Sequence, residues 1–199
     1  MQKIIIATRN LNKLKEIREF FSGVEHQFVG LDRFPEIGEI EETGKTLLEN
    51  SLIKARTVHN LTGLPAVGDD TGLEVDYLEG APGVRSARFA GHNADSKNNL
   101  DLLLKKLKGV PEQLRAARFR TVISFVSNNH EQWVEGIVEG IILDKPKGRQ
   151  GFGYDPVFYY PPLRKTFAEL SLAEKNKISH RGLALQKFRI LLGKFNLND

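Results

Sequence analysis

The sequence predicts an α/β protein built on a mixed β-sheet, and two observations lead to this prediction. Short apolar runs alternate with segments such as residues 12–21, in which apolar side chains recur at helical spacing. Two long β-rich runs, residues 119–126 and 133–143, are joined around a polar turn at 128–130 and predict an antiparallel hairpin. A sheet that contains such a hairpin beside strand–helix alternation has strands in both directions.

Length and composition fit a soluble globular domain. The chain has 199 residues, of which 40% are hydrophobic and 27% charged, and no apolar run approaches the length of a membrane span. It has no cysteine, which excludes disulfide and thiolate–metal chemistry. The first residues enter a strand without the layout of a signal peptide, so we expect a cytoplasmic protein. The net charge of +4 favours an anionic partner without separating nucleic acid from a phosphorylated small molecule.

The first strand and helix, residues 3–8 and 12–21, are joined by a polar loop. A strand-to-helix turn exposes backbone N–H groups and the positive end of the helix dipole, so this loop could bind phosphate, with Lys13 as a point charge. It lacks the glycines of a Walker A loop. The alternative is an Asn-rich N-cap on a surface helix.

An acidic segment, residues 36–44, follows a short strand candidate at 27–31. Thr46 and Glu49 have the spacing of a capping box and predict a helix that continues toward Leu61. The acidic residues before the cap have no such structural task and could face a metal; they are Glu39, Glu41 and Glu42.

The central motif of the chain is Gly-Asp-Asp-Thr-Gly at residues 68–72, between an apolar run at 64–67 and a strand at 73–75. Neighbouring carboxylates repel each other and are poorly solvated inside a fold. They are best explained by a hard cation or a proton-transfer task. The alternative is an Asp-rich turn chosen for its geometry alone.

The second half of the chain carries three further features. A Gly/Pro-punctuated loop at 80–91 precedes a helix capped by Ser96. Residues 151–158 place aromatic side chains beside glycines and an acid, a composition suited to stacking a base. Ser179 predicts the N-cap of a last helix, and the cations His180 and Arg181 in its first turn oppose the helix dipole, which indicates an anionic or carbonyl-bearing ligand.

Six ordered motifs together resemble the inosine triphosphate pyrophosphatase family, whose bacterial members are dITP/XTP pyrophosphatases. The resemblance runs from the first strand to the last helix. The motifs are ATRN at 7–10 with Lys13 and Glu16, EETG at 41–44 with Glu49, Asn50, Lys54 and Ala55, DDTGL at 69–73, GAPG at 80–83 with SAR at 86–88, GFGYDP at 151–156, and SHRG at 179–182. Thr71 stands where serine is frequent in the family, and Ser51 replaces a common alanine.

The resemblance implies a fold and an activity. The expected fold is an elongated mixed β-sheet flanked by helices, with two lobes and a central substrate cleft, so that residues 1–199 form one domain. The expected reaction is magnesium-dependent hydrolysis of non-standard purine nucleoside triphosphates, dITP, ITP or XTP, to the monophosphate and pyrophosphate. We also expect a homodimer and neither a nucleic-acid nor a membrane partner.

The resemblance also implies roles for single residues. Asp70 is expected to bind magnesium and to act as the general base, and Glu41 is expected to be the second metal-linked carboxylate, with Glu39 and Glu42 as open alternatives. The residues expected to bind substrate are Thr8, Arg9, Asn10, Leu11, Asn12, Lys13, Thr71, Phe152, Gly153, Tyr154, Asp155, Lys175, His180 and Arg181. Among them we assign His180 and Arg181 to the 6-keto edge of the purine.

Two other interpretations fit the same residues. One is a pyrophosphatase for pyrimidine or modified nucleotides on a related α/β scaffold. The other is a nucleotide-sensing or nucleic-acid-binding module without turnover. Release of pyrophosphate in the presence of magnesium separates the enzyme from the binding module.

Overall fold

The computed structural model describes residues 2–92 and 95–195, and in this part of the chain it has eight β-strands and five α-helices. The strands are β1 Lys3–Ile6, β2 Gln27–Gly30, β3 Ala66–Val75, β4 Pro82–Gly83, β5 Ala116–Val126, β6 Glu131–Ile142, β7 Phe158–Tyr160 and β8 Lys165–Thr166. The helices are α1 Leu11–Phe20, α2 Leu47–Thr62, α3 Ser96–Lys106, α4 Leu172–Ile178 and α5 His180–Leu192. No helix in residues 2–92 and 95–195 is long and apolar enough to cross a membrane.

The strands form one mixed sheet, which confirms the predicted fold class. Their order is β2-β1-β3-β5-β6-β7-β8, and β4 pairs with β3. Strand β1 is parallel to β2 and to β3, whereas β4, β7 and β8 pair antiparallel with their neighbours. Strands β5 and β6 are adjacent and joined by a short turn, closed by the N–H of Ser127 donating to the carbonyl of His130 at 2.8 Å, so the predicted hairpin is confirmed.

The chain divides into two compact units. The first unit consists of Met1–Asp70, Thr121–Gly136 and Arg181–Asp199, and the second of Thr71–Arg120 and Ile137–His180. Along the sequence, the divisions at Asp70/Thr71 and at His180/Arg181 fall inside two of the motifs discussed above.

The first unit has an apolar core on each side of its strands. Alternate residues of β1 point to opposite faces. Ile4 and Ile6 pack with α1 and α5, where Ile17 and Phe188 are buried. On the other face Ile5 packs with Val58 of α2. The strand is therefore apolar on both faces, as its sequence predicts.

The second unit is centred on aromatic rings. Phe119 of β5 and Phe158 of β7 have ring centroids 4.6 Å apart, and Phe167 lies 4.8 Å from Phe158. All three rings are buried. Helix α3 adds Leu103, which is fully buried and belongs to the leucine stripe that the sequence predicts as core.

Two local predictions need correction, and one helix was missed. Residues 68–72 are part of the ten-residue strand β3 and do not form a turn between two strands. The side chain that caps α3 is Asp95, which accepts the N–H of Asn98, while Ser96 is the first helical residue. Helix α4 was not predicted, although Ser171 and Glu174 form a capping box at its start.

Candidate active site

Parallel pairing in the first unit places the loop after β1 beside the acidic pair of β3. The register joins Ile6 to Val67, so the chain that leaves β1 passes next to the residues that follow Val67. The N–H of Ala7 donates to the carbonyl of Val67 at 2.7 Å. The carboxyl ends of parallel strands are where α/β sheets bind ligands. Asp69 and Asp70 lie at this end of the pairing.

The carboxylate of Asp69 is buried and held by two cations. Nζ of Lys13 lies 2.5 Å from Oδ1 of Asp69, and Nε of Arg181 lies 2.8 Å from Oδ2. The Nη1 group of Arg181 donates to Glu16 at 2.5 Å. Arg181 has a relative exposure of 1%, so it is a buried cation between two carboxylates. Asp69 therefore connects the start of α1 to the start of α5.

The carboxylate of Asp70 faces helix α2. Nζ of Lys54 lies 2.7 Å from Oδ1 of Asp70 and 3.0 Å from Oε1 of Glu42. The same ammonium donates to the backbone carbonyl of Asp69 at 2.8 Å. The side-chain nitrogen of Asn50 lies 3.4 Å from Oδ2 of Asp70. One lysine therefore links the strand to the acidic segment that precedes α2.

Gly68 permits this approach of α2 to β3. A Cβ atom at residue 68 would lie 1.9 Å from the backbone carbonyl oxygen of Ser51, so any other residue would push the helix away from the strand. The Ser51 hydroxyl is within 3.0 Å of the Gly68 carbonyl and within 2.9 Å of the hydroxyl of Ser124. A buried hydroxyl with several partners is well satisfied. Ser51, noted above as a departure from the family, thus has a structural role.

The two neighbouring acids have opposite pKa shifts. Burial alone would raise the pKa of Asp69, but Arg181 and Lys13 together hold that pKa well below its usual range. Burial raises the pKa of Asp70, and the opposing effects of Lys54 and Lys13 do not reverse the rise. Two carboxylates whose environments separate their pKa values are suited to different tasks. Asp69 is suited to a permanent charge, and Asp70 to proton transfer.

The two lysines also differ. Burial lowers the pKa of Lys13 below its usual value, and Asp69 only partly offsets this effect. The pKa of Lys54 is raised despite burial, because Asp70 and Glu42 both favour its charged form. Lys54 is therefore held as a cation by the acids that it joins.

The loop between β1 and α1 forms an N-cap on α1, which was one of the two interpretations of this loop; the other was a phosphate-binding loop. Oδ1 of Asn10 accepts the N–H groups of Asn12 at 3.0 Å and Lys13 at 3.2 Å. Arg9 donates to the backbone carbonyl of Ile37, and Leu11 is 71% exposed. The loop thus places Lys13 at the acids while much of the remaining loop is open to solvent. Its role in phosphate binding stays a prediction.

The acidic segment approaches Asp70 through Glu42. Glu42 shares the ammonium of Lys54 with Asp70, while Glu41 and Glu39 are exposed. Over the described parts of the chain, no three Asp, Glu or His side chains group closely enough to hold a metal by themselves. The choice of Glu41 as second metal carboxylate stays a prediction, and the contact with Lys54 favours its alternative, Glu42.

The second unit contains the predicted base-binding residues of the GFGYDP motif. Nζ of Lys175 lies 2.6 Å from Oδ2 of Asp155, and both side chains are buried. The same carboxylate oxygen accepts the N–H of Phe152 at 2.8 Å. Nζ of Lys175 is 4.8 Å from the ring centroid of Phe152, a cation–π distance. The structure therefore brings Phe152, Asp155 and Lys175 together.

The other predicted residues of the second unit are His180, Tyr154, Gly153 and Thr71. The His180 ring stacks on Phe119 with a centroid distance of 4.5 Å and an interplanar angle of 18°. The hydroxyl of Tyr154 donates to the carbonyl of Ser86, and burial raises the pKa of Tyr154. Gly153 and Thr71 are partly exposed. His180 and Tyr154 thus have packing roles that the sequence did not predict.

Three further residues near the acidic pair are candidates for a functional role, although the sequence motifs assigned no role to them individually. They are Glu16, Asn50 and Lys54, all buried polar residues on helices. A signal was present, because each lies on or next to the face of its helix that carries the buried apolar residues. Polar side chains at such positions need partners, which here are the residues around the acidic pair.

Fold and site define a mixed α/β protein whose first unit joins paired acids to two lysines at the carboxyl ends of parallel strands. A family model described as the Ham1 family matches residues 4–191. The chain belongs to this family.

Two similar proteins are named for the same activity, and a solved structure of a third has the same fold. The chain is 51% identical over 187 residues to the dITP/XTP pyrophosphatase of Thermoanaerobacter pseudethanolicus, an alignment that covers 94% of both chains. It is 46% identical over 198 residues to the dITP/XTP pyrophosphatase of Desulforamulus reducens, covering 99% of this chain and 98% of the relative. The solved structure of a HAM1 protein from Coxiella burnetii superposes with a TM-score of 0.89 at 41% identity, covering 98% of this chain and 100% of that one.

Proposed function

We propose that this protein hydrolyses non-standard purine nucleoside triphosphates, dITP, ITP, XTP and dXTP, to the monophosphate and pyrophosphate, and so removes deaminated purines from the nucleotide pool. The names of its relatives support this proposal. The structural observation that supports it most is the acidic pair of β3, in which Asp70 has a raised pKa beside the cations Lys54 and Lys13. A proton acceptor next to cations suits attack on a phosphoanhydride.

Asp70 is proposed to orient a water molecule and to take its proton. The water oxygen then bonds to the α-phosphorus as the bond from that phosphorus to the bridging oxygen breaks, and pyrophosphate leaves with the electron pair. Lys13 stabilises the charge on the phosphate groups. The deprotonated Asp70 is the reactive form, so its raised pKa makes it a stronger base than an ordinary carboxylate.

The cofactor is proposed to be magnesium. Its donors would be Asp70 and one carboxylate of the acidic segment, Glu41 by the sequence-based prediction or Glu42 by the contact through Lys54. This donor set fits the ion, because magnesium prefers oxygen ligands and is usually held by one or two carboxylates together with waters and substrate phosphates. When bound, the ion supplies charge neutralisation for the phosphates.

The triphosphate is proposed to bind the loop that begins α1. The charged and polar groups available there are the ammonium of Lys13, the guanidinium of Arg9, the hydroxyl of Thr8 and the exposed polar edge of the loop. The residues assigned to this role remain Thr8, Arg9, Asn10, Leu11, Asn12 and Lys13.

The purine is proposed to contact Phe152, Gly153, Tyr154, Asp155 and Lys175, with Thr71 as a further substrate contact. Phe152 offers a ring for stacking, and the Asp155 carboxylate offers a hydrogen-bond acceptor. We assign the 6-keto oxygen to His180 and Arg181, since donors at that edge would leave the 6-amino group of adenine facing other N–H groups.

The base assignment is tested with Arg181→Ala and His180→Ala. Each variant is expected to lower the ratio of the dITP rate to the dATP rate. This ratio does not depend on the fraction of protein that is folded, so it separates base recognition from the stabilising contacts of Arg181. An unchanged ratio would remove the residue from base recognition.

Three broader assignments accompany this activity. We propose that the whole chain acts as one catalytic domain, that two copies form a homodimer, and that the protein works in the cytoplasm without a nucleic-acid or membrane partner. The motifs that carry the resemblance extend from residue 7 to residue 182, which supports a single catalytic domain.

The decisive experiment is a nucleotide panel of dITP, ITP, XTP, dATP, dGTP and dTTP, scored for pyrophosphate release with and without magnesium. We expect release from dITP, ITP and XTP only when magnesium is present. Preference for dTTP would indicate a pyrimidine nucleotide pyrophosphatase. Tight nucleotide binding without pyrophosphate release would indicate a binding module.

A further inference from the structure

Helix α2 carries a buried amide whose two ends contact different parts of the first unit. Asn50 has a relative exposure of 0%. Its Oδ1 accepts the N–H of Gly44 at 2.8 Å, and its Nδ2 lies 3.4 Å from Oδ2 of Asp70. Gly44 comes two residues after Glu42 in the acidic segment, whereas Asp70 belongs to β3. One side chain thus contacts both the segment and the strand.

The chemistry of the partners fixes which end of the amide faces each of them. A backbone N–H requires an acceptor, so the oxygen of Asn50 faces Gly44, and the NH₂ group then faces the carboxylate of Asp70. The contact with Gly44 is the shorter, and because the amide is planar it sets the direction of the NH₂ group. The contact with Asp70 is at the long end of a hydrogen bond and acts mainly on orientation.

Lys54 lies one helical turn after Asn50, on the same face of α2. It contacts Oδ1 of Asp70 at 2.7 Å, the oxygen that Asn50 does not contact. It also contacts Glu42 at 3.0 Å. The two side chains therefore contact both oxygens of Asp70 and reach the acidic segment at two points.

The acidic segment is shaped to allow this contact. A Cβ atom at residue 44 would lie 2.6 Å from Oδ1 of Asn50 and 2.9 Å from its backbone nitrogen, so the close approach needs glycine. The next N–H, that of Lys45, donates to Oε2 of Glu49 at 2.6 Å. The N–H groups of the last residue of the segment and of the residue after it are thus bound by side chains from the start of α2.

We propose that Asn50 is a positioning residue for the reaction: its amide ties the acidic segment at Gly44 to the carboxylate of Asp70, and so holds Asp70 and Glu42 at their shared contact with Lys54. This inference rests on the proposed function for its effect on turnover. Its effect on the segment does not depend on turnover.

Two variants distinguish the contact of the amide oxygen with Gly44 from the contact of the amide nitrogen with Asp70. Asn50→Leu has a similar volume and removes both donor and acceptor, whereas Asn50→Asp keeps an acceptor for Gly44 and loses the donor to Asp70. Asn99→Leu is the matched control. Asn99 is also a buried amide on a helix that joins two partners, the carbonyl of Ala87 at 3.0 Å and the N–H of Ala90 at 2.7 Å, but it belongs to the second unit.

The first measurement is hydrogen exchange of the Gly44 amide in protein without substrate. We expect exchange about tenfold faster or more in Asn50→Leu, the loss that follows from one hydrogen bond of about 1.4 kcal/mol. The rate should stay near that of the wild type in Asn50→Asp and Asn99→Leu. Wild-type exchange of Gly44 in a folded Asn50→Leu protein would overturn the proposal.

The second measurement is steady-state kinetics with dITP. We expect kcat to fall about 10- to 100-fold in both Asn50 variants, the usual range for a group that orients a ligand of a metal site, with a smaller change in KM. Asn99→Leu should lower the unfolding temperature while keeping most of kcat. If both Asn50 variants kept wild-type kcat, or if Asn99→Leu lost as much, Asn50 would be structural only.

The two measurements also separate this inference from the proposed function. If the wild type released no pyrophosphate from any nucleotide, the proposed function would fail, and the exchange of Gly44 would then decide the inference alone. If Asn50→Leu does not fold, the kcat of Asn50→Asp decides it, because that variant keeps the acceptor for Gly44 and replaces the donor to Asp70 by an oxygen that repels it.

Discussion

The two units hold their buried ion pairs in different surroundings. In the first unit, Asp69 and Asp70 lie among three cations, Lys13, Lys54 and Arg181, within a connected set of contacts. In the second unit, the Lys175–Asp155 pair lies beside aromatic rings, with Phe152 at 4.8 Å and Phe167 at 5.9 Å from the ammonium.

This difference bears on function. In the first unit, the cations beside Asp69 lower its pKa and burial raises the pKa of Asp70, so the two acids differ in proton affinity. In the second unit, rings beside one ion pair offer a stacking surface with a hydrogen-bonding edge. The proposed division of tasks follows: the acids and lysines of the first unit carry the reaction, and the aromatic residues of the second unit stack the base. The predictions below test this division.

The largest effect is expected when Arg181 is replaced. Arg181→Ala leaves Asp69 and Glu16 buried without their shared cation, a change that costs about 3–5 kcal/mol of unfolding free energy. The control Arg56→Ala breaks the exposed pair with Glu131, worth about 0–1 kcal/mol. Urea unfolding measures both. Equal losses would show that the Arg181 contacts do not stabilise the fold.

Next in size is the effect of Asp70→Asn on turnover. The substitution keeps shape but removes the charge that accepts a proton, so kcat should fall at least ~10²-fold while the fold is kept. The control Asp76→Asn changes an exposed carboxylate that pairs with Arg118 in the second unit and should change kcat little. Near-wild-type turnover in folded Asp70→Asn would exclude Asp70 from the reaction.

A smaller effect separates the two proposed binding regions. Phe152→Ala should weaken nucleotide binding by about 1–3 kcal/mol, the usual value for base–aromatic stacking, and should leave the binding of inorganic tripolyphosphate unchanged. Lys13→Ala should weaken the binding of both nucleotide and tripolyphosphate. It should leave the ratio of the dITP rate to the dGTP rate unchanged, because a point charge on the phosphates does not distinguish one base from another. Competition assays with tripolyphosphate measure the difference. If Phe152→Ala weakened tripolyphosphate binding, the division between the two regions would be wrong.

The last prediction concerns the pH dependence of stability, and no change with pH is expected near neutral pH. Because the folded-state pKa of Asp69 is depressed, its stabilising contribution is complete above the unfolded pKa of about 4 and is lost as the pH falls toward the lower folded value. The difference in unfolding free energy between the wild type and Asp69→Asn should thus be constant from pH 7 to about 5 and shrink below about 4. A constant difference down to pH 2 would contradict the depressed pKa.

Local sequence patterns predicted most elements. The helical spacing of Leu14 and Ile17 predicted α1, whose N-cap Asn10 confirms one of the two interpretations of its loop. Thr46 confirmed its half of the predicted capping box by accepting the N–H of Glu49, while the Glu49 carboxylate binds the N–H of Lys45. Capping and periodicity depend on neighbours within a few residues, so they can be read from the chain.

The alternative interpretation of residues 68–72 as an Asp-rich turn is wrong. The same residues that favour a turn at 68–72 instead lie in strand β3, since Gly68 is needed for the approach of Ser51 from α2. That requirement comes from a helix packed against the strand and cannot be seen in the strand alone.

The sequence by itself determined the mixed α/β class, most of the helices and strands, and the family motifs in which Asp70, Lys13 and Asp155 occur. Only the tertiary structure decided the partners of the charged side chains. Arg181 lies 112 residues after Asp69 and binds it, and Glu42 rather than the exposed Glu41 shares Lys54 with Asp70. The physical reason is that a buried charge takes the partner that the packed elements bring within about 3 Å, and the pairing of strands and the packing of helices decide which residue that is.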